Sequence, residues 1–292
     1  MTILSYQVFK AVVEQGSFIK AANVLDITPS AVSHAIASME DELGTSLFIR
    51  SRSGNSLTNF GKELLPYVNA VLNSESALRQ AVSQLGGLKH GHVKLGTFSS
   101  VCTNWIPDIL HSFSRENPNV IIDVYQGSYG DIRSWLRSGV VDFSFISQSS
   151  AEELTFEPLY NDPLVCVTPK SFTKRDPSRY IDIDEIRDMP FIMLQESVDT
   201  DIKNFLKDHN IIYRSNGHIE DDLSALVMVE NGFGFAIMPE MVLKGINCNV
   251  NIYPFEHPGY RVVGLATIER SVLSPAAQVL YNHIVKTYKT IQ

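Results

Sequence analysis

Apolar and polar residues recur at helical spacing through the first 43 positions, in three segments separated by turn residues. Gly16 can end the first segment, and Ser17 is placed to cap the second. Thr28 and Pro29 supply a cap and a first-turn proline for the third. The predicted helices span residues 4–15, 18–25 and about 29–43.

The next segment predicts a small β-hairpin followed by a long helix. Two short apolar runs within 47–57 flank a turn rich in Ser, Gly and Asn. Beyond Thr58, which can cap the helix, apolar residues recur every three or four positions to about Leu88. Pro66 lies inside this helix and is expected to kink it. A helix this long cannot bury its apolar stripe alone, so we expect it to pair with another helix.

Glycines near 86–91 indicate a linker, after which predicted strands alternate with predicted helices. This alternation is typical of an α/β architecture with mostly parallel sheets. Ligands bind such sheets at the carboxyl ends of the strands.

Composition and charge exclude several classes of protein. Three scattered cysteines among 292 residues do not form a disulfide framework and favour a reducing compartment. The sequence shows no signal-peptide pattern and no apolar run of about 18 residues, so a cytoplasmic protein that spans no membrane is expected. The net charge is −8, and the first 91 residues hold equal numbers of acidic and basic residues. Charge alone therefore does not indicate nucleic acid as a partner.

The second and third predicted helices form a helix-turn-helix pattern. An apolar stripe of Val32, Ile36 and Met39 leaves short polar side chains on the opposite face. That face carries Ser30, Ser33, His34, Ala37 and Ser38. Such a surface fits a DNA major groove, and Arg50 and Arg52 on the hairpin are placed to touch phosphate or the minor groove. A helical hairpin inside a core gives the same pattern, so the motif alone leaves both interpretations open.

Several short motifs follow one another along the chain. They are Ala-Val-Val-Glu-Gln-Gly-Ser-Phe-Ile-Lys-Ala-Ala-Asn-Val-Leu (11–25), Thr-Pro-Ser-Ala-Val-Ser-His-Ala-Ile (28–36), Met39-Glu40, Leu43-Gly44, Leu47-Phe48-x-Arg50, Leu57-Thr58-x-x-Gly61, Trp105-Ile-Pro107, Phe113, Pro118, Gly139-Val-Val-Asp142 and Asn231-Gly-Phe-Gly-Phe-Ala-Ile-Met-Pro239. In this order they resemble the LysR-type transcriptional regulators, and the resemblance covers essentially the whole chain.

The resemblance implies three parts: a winged helix-turn-helix at 1–58, a dimerising linker helix at 59–89 and an effector-binding domain at 90–292. The last part is expected to be an α/β domain of two Rossmann-like lobes, similar to periplasmic binding proteins. Chain crossings near 161–163 and 265–267 would give a first lobe of about 93–161 plus 267–292 and a second of about 162–266. The implied partners are a double-stranded DNA operator, a small-molecule effector, and a second copy in a homodimer or a dimer of dimers.

The expected DNA-binding residues are Ser17, Lys20, Thr28, Pro29, Ser30, Ser33, His34, Arg50 and Arg52. Members of the family often have Arg at the position of His34, and a neutral imidazole forgoes the bidentate guanine contact. Together with the neutral first third, this predicts few phosphate contacts and a shallow dependence of DNA affinity on salt.

The expected effector-binding residues follow the predicted strands of the α/β region and include two aromatic rings. They are Phe98, Ser99, Ser100, Ser128, Ser147, Gln195, Ser197 and Phe233. Hydroxyls and backbone N–H groups at helix starts suit a small polar or carboxylate ligand. No arginine lies in these segments, so a dianion is the less expected ligand.

Three alternatives remain. The sequence lacks the common hydrolase and phosphate-loop motifs of an enzyme, and neither a cofactor nor a metal is expected. A solute-binding protein does not account for the helix-turn-helix pattern. A redox-sensing regulator of the same family would use Cys102, which the sequence places near a helix start where a thiolate is favoured.

Overall fold

The computed structural model of the protein describes residues 1–51, 54–85, 90–175, 177–193, 200–209, 211, 219 and 221–289. Its N-terminal part consists of three helices and a hairpin. These are α1 (Ile3–Gln15), α2 (Phe18–Leu25), α3 (Pro29–Leu43), β1 (Phe48–Ser51) and β2 (Gly54–Leu57). All three helices lie where the periodicity predicts them.

Local capping explains why these helices begin and end where they do. The Ser17 hydroxyl accepts a hydrogen bond from the backbone of Lys20 at 3.4 Å, and the Thr28 hydroxyl accepts one from Ala31 at 3.2 Å. Gly16 ends α1 in the left-handed conformation, with φ 62°. Because each of these signals lies within a few residues of the helix end that it fixes, the sequence is sufficient to locate it.

The linker helix α4 (Asn59–Leu85) follows β2 and contains Pro66. Residues 86–89 of the predicted helix lie outside the described residues. Near its start the helix packs against the N-terminal part, and Val68 joins that core. Large apolar residues of the same helix are exposed, among them Tyr67, Leu78 and Val82. The lone chain therefore has an apolar helix face that it does not cover.

Within the described residues, the C-terminal part has seven strands. They are β3 (Gly91–Thr97), β4 (Val120–Gln126), β5 (Phe143–Ser147), β6 (Thr155–Pro169), β7 (Ala236–Pro239), β8 (Val250–Pro254) and β9 (Tyr260–Thr267). The helices around them are α5 (Ser99–Asn104), α6 (Ile106–Glu116), α7 (Tyr129–Arg137), α8 (Ile183–Ile186), α9 (Thr200–Asp208), α10 (Asp222–Glu230), α11 (Glu240–Leu243) and α12 (Pro275–Tyr288).

The sheets are mixed, which corrects the prediction of mostly parallel sheets. Parallel pairing occurs between β3 and β4 and between β3 and β5. The strands β6, β7, β8 and β9 pair antiparallel with their described neighbours, and β5 pairs antiparallel with β9. The long strands β6 and β9 are neighbours in the sheet and run antiparallel. Antiparallel neighbours do not need the helical crossover that connects parallel strands.

Two long strands divide this part into two lobes. The first half of β6 pairs with β9, whereas Leu164 and the residues after it pair with β7 and β8. The return crossing lies at Tyr260, where β9 already pairs with Pro163. It is therefore earlier in the chain than the predicted 265–267. We call the segments around Pro163 and Tyr260 the hinge.

Each lobe has its own apolar core. Phe143, Phe145 and Leu280 are buried in the first lobe, and Phe191 and Phe235 are buried in the second. None of the helices in the described ranges is long and apolar enough to cross a membrane.

Candidate DNA-reading surface and effector cleft

The outer face of α3 is exposed. Its apolar stripe, Val32, Ile36 and Met39, is buried against α1 and α2. The predicted residues Ser30 and His34 are exposed. Ser33 is half-buried, and Ala37 and Ser38 complete the exposed face. A helix with this face can enter a major groove without uncovering its core.

The first turn of α3 presents hydroxyls on a fixed frame. The Thr28 and Ser30 hydroxyl oxygens lie 2.9 Å apart, and the Thr28 hydroxyl also caps the helix. Pro29 occupies the first helical position, where its missing N–H costs nothing. All three residues are exposed, so their polar atoms can contact DNA without any backbone rearrangement.

The remaining predicted DNA-binding residues lie around this helix or outside the described part. Ser17 is the half-buried cap of α2, and Lys20 is exposed in its first turn. Arg50 lies in β1 and pairs with Asn55 across the hairpin, although the structure describes its backbone only. Arg52 lies outside the described residues.

Glu40 fixes the hairpin against α3. One oxygen of its carboxylate accepts hydrogen bonds from the backbone of Leu47 at 2.6 Å and of Phe48 at 3.3 Å. Sequence reasoning did not assign Glu40 a role, because its partners lie in a different element. Glu40 is the first of three consecutive acidic residues, so charge alone did not single it out, and its place in the Met39-Glu40 motif was the available signal.

A cleft of about 160 Å³ opens between the two lobes. It is lined by Phe98, Ser99, Ser100, Gln126, Gly127, Ser128 and Tyr129 from the first lobe, by Asp221 and Asp222 from the second, and by Arg261 from the hinge. Four of the eight predicted effector residues therefore lie in one cleft, namely Phe98, Ser99, Ser100 and Ser128.

The serines of the cleft have different partners. The Ser99 hydroxyl accepts a hydrogen bond from the amide of Gln126 at 3.1 Å. Ser128 caps α7, and its hydroxyl donates to the carboxylate of Asp131 at 2.6 Å. These contacts fix both hydroxyls at the cleft wall before any ligand arrives.

The other predicted effector residues do not line this cleft within the described part. Ser147 is buried, and its hydroxyl donates to the carboxylate of Asp201 at 2.6 Å, which links the two lobes. Phe233 is 59% exposed, because it lies in a turn whose flanking residues Gly232 and Gly234 have positive φ. Gln195 and Ser197 lie outside the described residues.

The segments predicted to bind the effector contain no arginine, but Arg261 from the hinge also lines the cleft. Arg261 is only 5% exposed, and its guanidinium donates to the Asp162 carboxylate at 2.5 Å and to the Ser100 hydroxyl at 2.8 Å. The guanidinium carbon also lies 4.9 Å from the ring centre of Phe98. Asp162 and Arg261 face each other across β6 and β9, some 100 positions apart in the chain. A charged residue before the apolar run of β9 was the only sequence signal.

Two further carboxyls near the cleft have perturbed acidity. Burial raises the pKa of Asp222 above its usual value, against the opposing effect of Arg261. Burial also raises the pKa of Asp201, against its hydrogen bonds from Ser147 and Ser149. Neither group was predicted, because burial of a carboxyl depends on which residues surround it in the tertiary fold.

The environment of Cys102 does not favour the redox alternative. Cys102 lies within α5, and its backbone N–H already donates to Phe98 at 2.9 Å. Burial raises the pKa of the Cys102 thiol, whereas a reactive cysteine needs a lowered one.

Family models match both parts of the chain. The model described as "Bacterial regulatory helix-turn-helix protein, lysR family" matches residues 4–62, and the "LysR substrate binding domain" matches residues 86–289. The protein belongs to the LysR family. It is therefore a transcriptional regulator and not an enzyme, and its two matched domains correspond to the two parts of the fold. The family resemblance and the two-lobed fold class are confirmed.

Curated relatives have the same organisation. The chain is 27% identical to the uncharacterized transcriptional regulator YvbU of Bacillus subtilis over 247 residues, which cover 84% of each chain. It is 28% identical to the probable regulator LrrA of Synechococcus elongatus over 280 residues, which cover 94% of each chain.

Solved structures share the fold at lower identity. Full-length OxyR from Pseudomonas aeruginosa matches with a TM-score of 0.78 and 20% identity, covering 97% of this chain and 94% of that one. CbnR in complex with its target DNA matches with a TM-score of 0.68 and 16% identity, covering 98% and 100%. The effector-binding domain of QuiR, in complex with shikimate, matches with a TM-score of 0.62 and 21% identity, covering 69% and 98%.

Proposed function

We propose that this regulator binds a double-stranded operator in the cytoplasm as a homodimer or a dimer of dimers, and that a small molecule in the interlobe cleft controls its DNA binding. The observation that carries the proposal is the cleft between two lobes joined by a hinge, on the same chain as an exposed helix-turn-helix. The parts are 1–58 for DNA binding, 59–89 for dimerisation and 90–292 for effector binding.

The reading of DNA rests on the exposed face of α3. Ser33 and His34 are the residues from which we infer base selection, because both lie beyond the capped first turn on its outer side. Thr28, Ser30 and Lys20 supply hydroxyl and ammonium donors for phosphate or bases. We assign the arginines of the hairpin, Arg50 and Arg52, to backbone or minor-groove contacts.

Dimerisation rests on α4. Tyr67, Leu78 and Val82 leave more than half of their side-chain surface exposed on this helix, although each is large and apolar. A second copy of α4 can cover this stripe by packing its own apolar residues against it. Two copies also place two reading helices on one duplex, which multiplies the modest affinity of each.

Control by the effector requires two lobe arrangements of different ligand affinity. Besides the Ser147–Asp201 hydrogen bond, the lobes are joined where the Asn104 amide donates to the Met241 carbonyl at 3.1 Å. A ligand that draws the lobes together or apart changes these contacts through motion at the hinge.

The helix α7 connects the cleft to the linker helix. Ser128 borders the cleft at the start of α7. Just beyond the other end, the carbonyls of Ser138 and Gly139 accept hydrogen bonds from Asn69 at 2.6 Å and Asn73 at 2.9 Å, both on α4. Movement of α7 at the cleft therefore acts directly on the helix that we infer to dimerise.

The test is a selection of duplexes from a random pool by the full-length protein. We expect enrichment of a sequence with two related half-sites. Ser33→Ala and His34→Ala should change the enriched bases, whereas Arg52→Ala should weaken binding to every sequence. Failure to enrich any sequence would contradict the DNA-reading assignment, and wild-type affinity of Arg52→Ala would contradict the role of the hairpin.

A further inference from the structure

Carboxyl groups outnumber guanidinium and ammonium groups around the cleft within the described part of the chain. Asp162, Asp201 and Asp222 all lie within electrostatic range of one another or of Arg261. Arg261 is the one Lys or Arg among the described residues that line the cleft. Among these described residues, negative charge therefore exceeds positive charge even though the wall contains a guanidinium.

The charge of Arg261 is already matched by the protein. Its guanidinium donates to the fully buried carboxylate of Asp162 at 2.5 Å and to the Ser100 hydroxyl at 2.8 Å. A buried ion pair of this kind holds the guanidinium in place, because separating the two groups would leave an uncompensated buried charge. An anionic ligand would have to compete with Asp162 for this cation.

The carboxyls of Asp221 and Asp222 differ in what they bind. Asp221 caps α10, and its two oxygens accept from the backbone of Ser224 at 2.8 Å and from its hydroxyl at 2.6 Å. Asp222 is the next residue, lines the same cleft and is half-buried there. Partial loss of hydration raises its pKa, because a carboxylate is less stable there than in water. A cation brought by a ligand would supply the missing stabilisation.

We propose that the effector carries a cationic nitrogen, an ammonium or a guanidinium, and that Asp222 binds it. This inference rests on the proposed function, since it specifies the ligand of the same cleft. The rings of Phe98 and Tyr129 flank an apolar portion of the molecule, and the Ser99 and Ser128 hydroxyls bind its polar groups. A carboxylate on the same molecule is compatible with this site, but a nitrogen-free acid lacks the group that Asp222 selects.

The test compares matched probes on the full-length protein by calorimetry and thermal unfolding. One set contains amines and guanidines: lysine, ornithine, arginine and agmatine. The other contains nitrogen-free acids of similar length, with or without hydroxyls. We expect binding in the first set only, and at least tenfold weaker binding of the same probe to Asp222→Asn. Asp184→Asn is the matched control, because Asp184 lies in the second lobe, is exposed and does not line the cleft.

A pH series separates a direct contact from a structural effect. Charged or titratable groups near Asp222 are Asp221 on its own helix, Arg261 and Asp162 at the hinge, Asp201 in α9 and Tyr129 in α7. Because only the ionised Asp222 attracts a cation, probe affinity in the wild type should rise as the pH increases through the raised pKa of Asp222. The Asp222→Asn variant, checked for folding by its melting temperature, should lose most of this dependence.

The outcomes distinguish the cationic effector from the more general proposal that a ligand in the cleft controls DNA binding. Binding of nitrogen-free acids that Ser99→Ala or Ser128→Ala abolishes overturns the cationic effector and leaves the effector cleft standing. Equal probe affinity in Asp222→Asn and the wild type also overturns the assignment of Asp222. Binding of neither set to the folded protein contradicts both the cationic effector and the proposed ligand control.

Discussion

The DNA-reading part and the effector cleft are built in opposite ways. The exposed face of α3 consists of short, mostly uncharged side chains from one continuous segment of the chain, whose first turn is capped by Thr28. The cleft is lined by four separate stretches of the chain, namely 98–100, 126–129, 221–222 and Arg261, and the buried Asp162 pairs with Arg261 beside it. The exposed face of α3 can therefore contact a partner without rearrangement. A ligand in the cleft, by contrast, would change the interactions of the buried charges there.

This difference indicates separate functions for the two parts of the chain: the N-terminal part recognises DNA, and the two lobes respond to a ligand. Because α3 is capped and packs on its own small core, we expect its shape, and so its contribution to DNA recognition, to stay the same when the effector binds. The cleft lies at a hinge, and its ion pair joins the two strands that pass between the lobes. We therefore expect a ligand bound in the cleft to change the relative position of the two lobes. Control of DNA binding requires such a change.

The largest expected effect comes from breaking the buried ion pair. Asp162→Asn removes the charge opposite Arg261 while keeping an oxygen for the backbone N–H of Met241, now 2.9 Å from the carboxylate. We expect a loss of about 3–5 kcal/mol of unfolding free energy, since a buried guanidinium is left uncompensated. Thermal and urea unfolding measure it.

The double variant Asp162→Asn/Arg261→Met provides the control for that prediction. Removing both charges should restore a large part of the lost stability, because no unpaired charge remains. If Asp162→Asn alone unfolds like the wild type, the buried pair does not stabilise the hinge and the contrast between the two surfaces fails.

A smaller effect is expected at the hairpin of the DNA-reading part. Glu40→Ala removes the acceptor of two backbone N–H groups and should cost about 1–3 kcal/mol. DNA affinity should fall with it, because the hairpin loses its fixed position beside α3. Glu40→Gln retains an acceptor oxygen and should lie nearer to the wild type. Anisotropy with the selected duplex gives the affinities, and an equal loss in both variants would argue for a role of the charge instead.

A modest, pH-dependent effect is expected at Asp222. Its folded pKa is raised above the ordinary 3.8, so the native state holds the proton more tightly than the unfolded state does. The contribution of this group to stability is therefore greatest below about 3.8 and declines as pH rises through the raised folded value. Asp222→Asn should melt a few degrees higher than the wild type near neutral pH, and this difference should vanish in acid. A variant that melts lower near neutral pH would contradict the assignment.

The smallest effect concerns salt. With few basic residues in the reading part, the slope of log affinity against log salt should be no steeper than about −6 per dimer. His34→Arg should strengthen binding and steepen the slope by about one per subunit, since it adds a permanent charge at the groove. A wild-type slope much steeper than this would show that phosphate contacts, rather than the uncharged face of α3, dominate binding.

The prediction from sequence was most accurate where interactions are local. Thr28, Pro29 and Gly44 define α3 within a residue because each acts on a helix end beside it. The serines of the cleft were found for the same reason, as each follows a strand and begins a helix. The lobe boundary at Tyr260 was missed, because strand pairing between β6 and β9 joins residues about 100 positions apart and leaves no periodic signal.

The sequence by itself determined the class of the protein, the order of its parts, the ends of its first helices and the exposed polar face of α3. Capping, turn formation and amphipathic spacing act over a few residues, so they are written directly in the order of amino acids. Only the tertiary structure decided that Arg261 enters the cleft, that Asp162 neutralises it and that Asp222 lines the cleft beside them. Burial and charge pairing depend on residues from distant segments, and those meet only when the two lobes have formed.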